Sequence, residues 1–210
     1  MKHRLGLLSF LLVSGAAQNI KAGTIVSVTG PFQATNVNAA DAVSWTQTSA
    51  FTNVVISAGV GGGFFTAPPG SGTFYLMNAI GPGTTVANQL NSTTFSGLVG
   101  LSTLPLFSGL TLGPGTYYLV LGGLASGSGW QETGSPFVPV IVTGSGVTNN
   151  PPLVVIGGGA GYPPASSFSS FPGQFFYQVT GDAVPEPATF FYALIGLGAA
   201  LVWKRLSLLK

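Results

Sequence analysis

Between Gly23 and Asp182 the chain alternates short runs of β-branched and aromatic residues with clusters of Gly, Ser, Thr, Asn and Pro. β-branched and aromatic side chains suit a pleated, half-buried surface, whereas the intervening residues favour turns. Strands are predicted over Thr24–Thr29, Ala42–Thr48, Thr52–Ala58, Gly72–Ala79, Gly115–Gly122, Pro136–Thr143, Leu153–Ile156 and Gln174–Thr180. Successive strand residues point to opposite faces, so Phe74 and Leu76 share one face while Tyr75 and Met77 share the other. Tyr117, Leu119 and Leu121 likewise oppose Tyr118 and Val120. Both faces of these two strands are apolar, which makes them inner strands. No apolar period of 3.6 residues lasts long enough to predict an amphipathic helix here. Gly113, Pro114 and Gly115 predict a tight reversal, a hairpin feeding the strand Tyr117–Leu121. Gly157–Gly173, rich in Gly, Ser and Pro and containing Tyr162 and Phe168, predicts an extended loop. With no repeat of fixed period, solenoids and propellers are set aside. The fold class expected is mainly β, a single antiparallel β-sandwich over residues 23–182. Its stretch LGPGTYYLVLGG resembles a core strand of extracellular jelly-roll and pre-peptidase-type domains, which implies a jelly-roll-like sandwich.

The two ends carry a different pattern. Lys2, His3 and Arg4 precede the apolar run Leu5–Val13, and the small residues Ser14, Gly15, Ala16 and Ala17 follow. That order is a secretory signal peptide, placed here at residues 1–22. Cleavage after Ala17 puts small residues at both key positions, and cleavage after Ala22 puts Ile20 third from the cut; both sites stay open. At the other end residues 188–203, ATFFYALIGLGAALVW, are uncharged. As a helix they measure about 24 Å, a marginal membrane span. Tyr192 and Trp203 suit the interfaces, Lys204 and Arg205 form the stop, and positive charge after the helix places the C-terminus in the cytoplasm.

Just ahead of that run stand Val184, Pro185, Glu186 and Pro187. Proline cannot continue a strand ladder and restricts the residue before it, so this is a stiff, extended, solvent-facing peptide. A Pro-Glu-Pro motif, an apolar helix and a basic cluster, in that order, resemble the PEP-CTERM sorting signal over residues 184–210. The resemblance implies processing by an exosortase-type membrane enzyme, with Pro185, Glu186 and Pro187 recognised and Lys204 and Arg205 on the cytoplasmic side. It also implies an exopolysaccharide-producing bacterial host. In this copy the basic pair is followed by Leu206–Lys210 in place of an arginine-rich end.

Charge and composition narrow the rest. The net charge of +2 suggests a nucleic-acid partner only if the cations lie on the domain. They lie at the ends: no Lys or Arg occurs between Gly23 and Trp203, whereas Asp41, Glu132 and Asp182 fall within the domain. Phosphate-backbone binding is excluded. With no cysteine, disulfides, thiolate ligands and thiol nucleophiles are excluded too. Once the signal peptide is removed the chain also lacks histidine, which leaves Asp41 with Glu132 as the carboxylate pair inside the domain to weigh for a glycosidase. Isolated acidic residues are more commonly solvated, so the domain is expected to be non-catalytic, without cofactor or metal. A calcium site from Asp41 and Asn38 is conceivable but lacks a clustered Asp motif. The glycine runs at 59–64 and 157–162 end in Phe64 and Tyr162 and so miss the dinucleotide fingerprint. Rings can stack on sugars without charge, which makes Trp130, Trp45, Tyr117 and Tyr162 the candidate glycan contacts. Core packing is the commoner fate of a strand tryptophan such as Trp45, whereas Trp130, flanked by Gly129 and Gln131, is expected in a glycine-rich loop. The function expected is a non-catalytic exported surface or matrix protein, with carbohydrate binding to exopolysaccharide as the alternative.

Overall fold

In a computed structural model, residues 22–36, 38–62, 69–124 and 128–185 are described. The signal peptide expected at 1–22 therefore lies outside them except for Ala22, as do Glu186, Pro187, the helix expected at 188–203 and its stop Lys204 and Arg205. No helix among the described residues is long and apolar enough to cross a membrane.

Fourteen strands are present among the described residues: β1 (Gly23–Thr29), β2 (Ala34–Asn36), β3 (Ala40–Gln47), β4 (Phe51–Gly62), β5 (Gly70–Met77), β6 (Gln89–Leu98), β7 (Gly100–Leu112), β8 (Gly115–Gly122), β9 (Gly129–Thr133), β10 (Val140–Thr143), β11 (Val147–Val155), β12 (Ser169–Ser170), β13 (Gln174–Phe175) and β14 (Tyr177–Ala183). Every pairing is antiparallel. One sheet runs β10-β1-β14-β4-β9-β13, with β7 also on β4 and β2 on β9; the other runs β12-β11-β3-β8-β5-β6. One apolar core joins the two layers: Trp45, Phe74, Leu76, Leu119 and Leu121 from the second sheet meet Ile25, Ile56, Trp130, Phe175 and Val179 from the first. This is a β-sandwich, and burying each of its large rings contributes on the order of 4 kcal/mol by area.

The alternation expected in β5 and β8 is observed, with Phe74, Leu76, Tyr117, Leu119 and Leu121 facing the core. Their other face is apolar for a separate reason. Met77 and Val120 join Ala40, Ala42 and Val155 in a second cluster on the outer side of the sheet, covered by Tyr75, Tyr118, Tyr162 and Phe168. The segment expected as an extended loop supplies that cover, through a 3-10 turn at Pro163–Ala165 and the short β12. Its approach is close enough that a Cβ on Gly122 would collide with the Pro163 ring, so Gly122 is the space into which this cover fits.

Several expectations are corrected. β6, β7 and β9 were not foreseen: β6 and β7 are half-exposed strands rich in Ser, Thr and Gly, and β9 holds the Trp130 expected in a loop. The strand expected from Pro136 begins only at Val140, because Phe137 N–H closes a turn on Gly134 O. The hairpin expected at Gly113–Gly115 is instead a crossing between sheets: β7 pairs with β4 in one layer, while β8 pairs with β3 and β5 in the other.

Candidate functional site

The candidate sorting peptide grows directly out of the sheet. β14 lies between β1 and β4, and its ladder runs to Ala183 opposite Phe51. One further bond, from Val184 N–H to Ala50 O at 2.9 Å, extends it past the expected domain end at residue 182. Pro185 has no N–H and ends the pairing there. Nearby, Asn53 adopts a positive φ of 51° and its Nδ2 donates to Asp182 Oδ2 at 2.8 Å. The first residue of the four-residue motif is thus part of the fold, which the Thr-Gly-Asp-Ala sequence before it did not signal.

Of the expected carboxylate pair, Asp41 stands on β3 in one layer and Glu132 on β9 in the other, and the charge of Glu132 is felt at Asp41. Asp41 has no exposed surface. Asn38 Nδ2 donates to its Oδ1 at 3.1 Å, and its Oδ2 has no hydrogen-bond partner. Burial pushes its carboxyl up to about 7; the Asn38 bond opposes this and the charge of Glu132 adds to it. A carboxylic acid raised by burial is the electrostatic pattern of a general acid. Here it has no surface on which to meet a substrate. No group of three or more His, Cys, Asp or Glu residues that could hold a metal occurs among the described residues. Asn38 presents its N–H groups to Asp41, an arrangement that stabilises the carboxylate with a neutral donor.

The ring candidates are corrected by the structure. Trp45 and Trp130 are 0% exposed, and neither offers a face to a sugar. Trp45 Nε1 donates to Gln47 Oε1 at 3.1 Å and its ring packs on Tyr117 and Tyr177. Trp130 Nε1 donates to Phe176 O at 2.8 Å, with its ring stacked on Phe175 and edge-on to Phe74. Both are core residues with satisfied polar tips. Tyr117 is also buried and donates to Gly113 O at 2.9 Å. Tyr162 is half-buried; its hydroxyl donates to Gln89 Oε1 at 2.9 Å and its ring meets Tyr75 edge-on. It fastens the cover over the second sheet.

Two shallow clefts are found among the described residues. One of about 160 Å³ lies on the outer face of the first sheet, between Thr29, Ser57, Thr103, Gln131 and Gln178. Another of about 280 Å³ is lined by Gln33, Glu132, Ser135 and Phe171. Both fall below the usual size of a small-molecule pocket.

The PEP-CTERM protein-sorting motif matches residues 183–205 of this chain. The chain therefore carries a PEP-CTERM signal, and its match begins at Ala183, the last residue of β14. That motif supports export, membrane association through the C-terminal tail and processing by an exosortase-type enzyme. None of the curated proteins matches the chain in sequence.

Proposed function

We propose that this is a non-catalytic cell-surface or extracellular-matrix protein, exported by its signal peptide and held by a C-terminal membrane helix over 188–203 until exosortase processing. The observation that carries this reading is the sorting motif joined without a spacer to the last strand of the sandwich. The chemistry of the domain agrees with it. Asp41, a carboxyl raised to about 7, is enclosed in protein. Replacing Pro185, Glu186 and Pro187 by alanine tests the reading in a host with an active exosortase. The native protein is expected on the surface or in the medium, and the variant is expected to accumulate uncleaved in the membrane fraction. Equal release of both would overturn it.

A second reading, binding of exopolysaccharide, now rests on a different place from the tryptophans. The cleft beside Phe171 offers a half-buried ring next to Gln33 and Glu132. Saturable binding on a glycan array that is lost in Phe171→Ala would support this reading, and no binding by the native domain would remove it.

A further inference from the structure

Almost no chain separates the folded sheet from the apolar tail. Val184 is hydrogen-bonded to Ala50, and the uncharged run begins at Ala188, so only residues 185–187 intervene. Fully extended, the four steps from 184 to 188 reach about 14 Å. The headgroup layer on one side of a bilayer takes roughly 5–8 Å of that. The remainder, under about 10 Å, is narrower than a single α-helix with its side chains. No layer of protein fits in the gap.

What faces that gap is one end of the sandwich. Phe51 pairs with both Ala183 and Leu112, and Gln47 pairs with both Gly115 and Val147. The turns at 48–50, 113–114 and 144–146 therefore lie at the end from which Val184 leaves. The N-terminal strand starts there too, since Gly23 pairs with Gly181. These turns contain Thr, Ser, Ala, Gly and Pro and no ionisable side chain. The carboxylate one step before Ala183 on β14, Asp182, is held by Asn53 Nδ2 at 2.8 Å. The end is also braced. Gln47 Nε2 donates to Ser49 O, Leu112 O and Gly113 O at 2.9–3.2 Å, and Thr48 N–H donates to Gly146 O at 3.0 Å.

We propose that in the anchored precursor this end of the sandwich, formed by turns 48–50, 113–114 and 144–146, rests directly on the headgroups of the bilayer. The proposal deepens the reading of residues 184–210 as a membrane-anchored sorting tail and rests on it. It makes the bilayer surface the partner of hydroxyl- and carbonyl-rich turns, and it leaves the processing enzyme only the short peptide after Val184 to grip.

The chain has no cysteine, so a single introduced one reports its own surroundings. Ser145→Cys and Pro114→Cys place a thiol at the proposed contact; Val99→Cys and Phe32→Cys place one at the far end. Each is made in the full chain, in cells lacking exosortase, and spheroplasts are treated with a bulky polyethylene glycol maleimide. The expected result is much slower labelling at 145 and 114 than at 99 and 32. A Gly/Ser spacer inserted after Val184 should remove the difference, as should detergent. Equal labelling of all four in membrane-bound precursor overturns the proposal alone, and so does shielding that survives the spacer. A precursor that alkaline carbonate strips from the membrane overturns the proposal together with the reading of the tail.

Discussion

Trp45 and Gln47 stand two residues apart on the same face of β3, and the indole Nε1 donates to the Gln47 side-chain carbonyl at 3.1 Å in a fully buried setting. The amide end of the same Gln47 donates to three backbone carbonyls from two turns. One side chain thus satisfies the ring that anchors the core and ties β3, β4 and β7 together at one end. Gln47→Ala leaves the indole and three carbonyls without this partner. It is expected to cost about 2–4 kcal/mol in urea unfolding of residues 22–185. A loss under about 0.5 kcal/mol would show that water replaces the amide.

Asp41 should make the domain more stable in acid than at neutral pH. Its folded value is raised to about 7 from an ordinary 3.8, so the folded state holds the proton more tightly than the unfolded chain does. The stability this supplies is full below about pH 4 and is lost as pH rises to about 7, amounting to about 4 kcal/mol at most. Asp41→Asn mimics the protonated form and should flatten that slope, leaving the variant more stable than the native domain at pH 8. Because Glu132 raises the Asp41 value, Glu132→Gln should shift the slope to lower pH. Melting temperatures across pH 4–8 check both expectations; parallel curves for native and Asp41→Asn would contradict the account.

What the sequence revealed and what it hid divide along physical lines. β5 and β8 were legible because Phe74, Leu76, Leu119 and Leu121 alternate with equally apolar neighbours, and a strand buried on both faces announces itself. β6 and β7 were not, since the side chains they turn to the core, such as Phe95, Leu104 and Phe107, are spaced among Ser, Thr and Gly on half-exposed strands. Gly113-Pro114-Gly115 correctly marked a reversal, but turn chemistry does not say whether the chain returns to its own sheet or crosses to the other. The sorting motif was legible because its order is linear. The Asp41–Glu132 relationship depended on a register between layers that no local pattern encodes. Trp130 was misplaced for the same reason: Gly129 beside it looked like loop, while its pairing with Asn36 and Val60 makes it strand.

The two tryptophans of the domain should behave as core residues. Their emission is expected to lie at short wavelength and to resist quenching by iodide and acrylamide in residues 22–185. The basis is that both rings have no exposed surface. Added oligosaccharides should leave the spectrum unchanged. Strong quenching of the folded domain would contradict the placement of Trp45 or Trp130.

The central claim is that the tail beginning at the end of β14 is a temporary membrane address. Intact-mass and C-terminal peptide mass spectrometry of the protein recovered from the surface of exosortase-bearing cells tests it most directly. The account predicts a mature C-terminus near Pro185–Pro187, ahead of the apolar residues 188–203, and full-length precursor only when the exosortase is deleted. Surface protein still ending at Lys210 in cells with an active exosortase would contradict it.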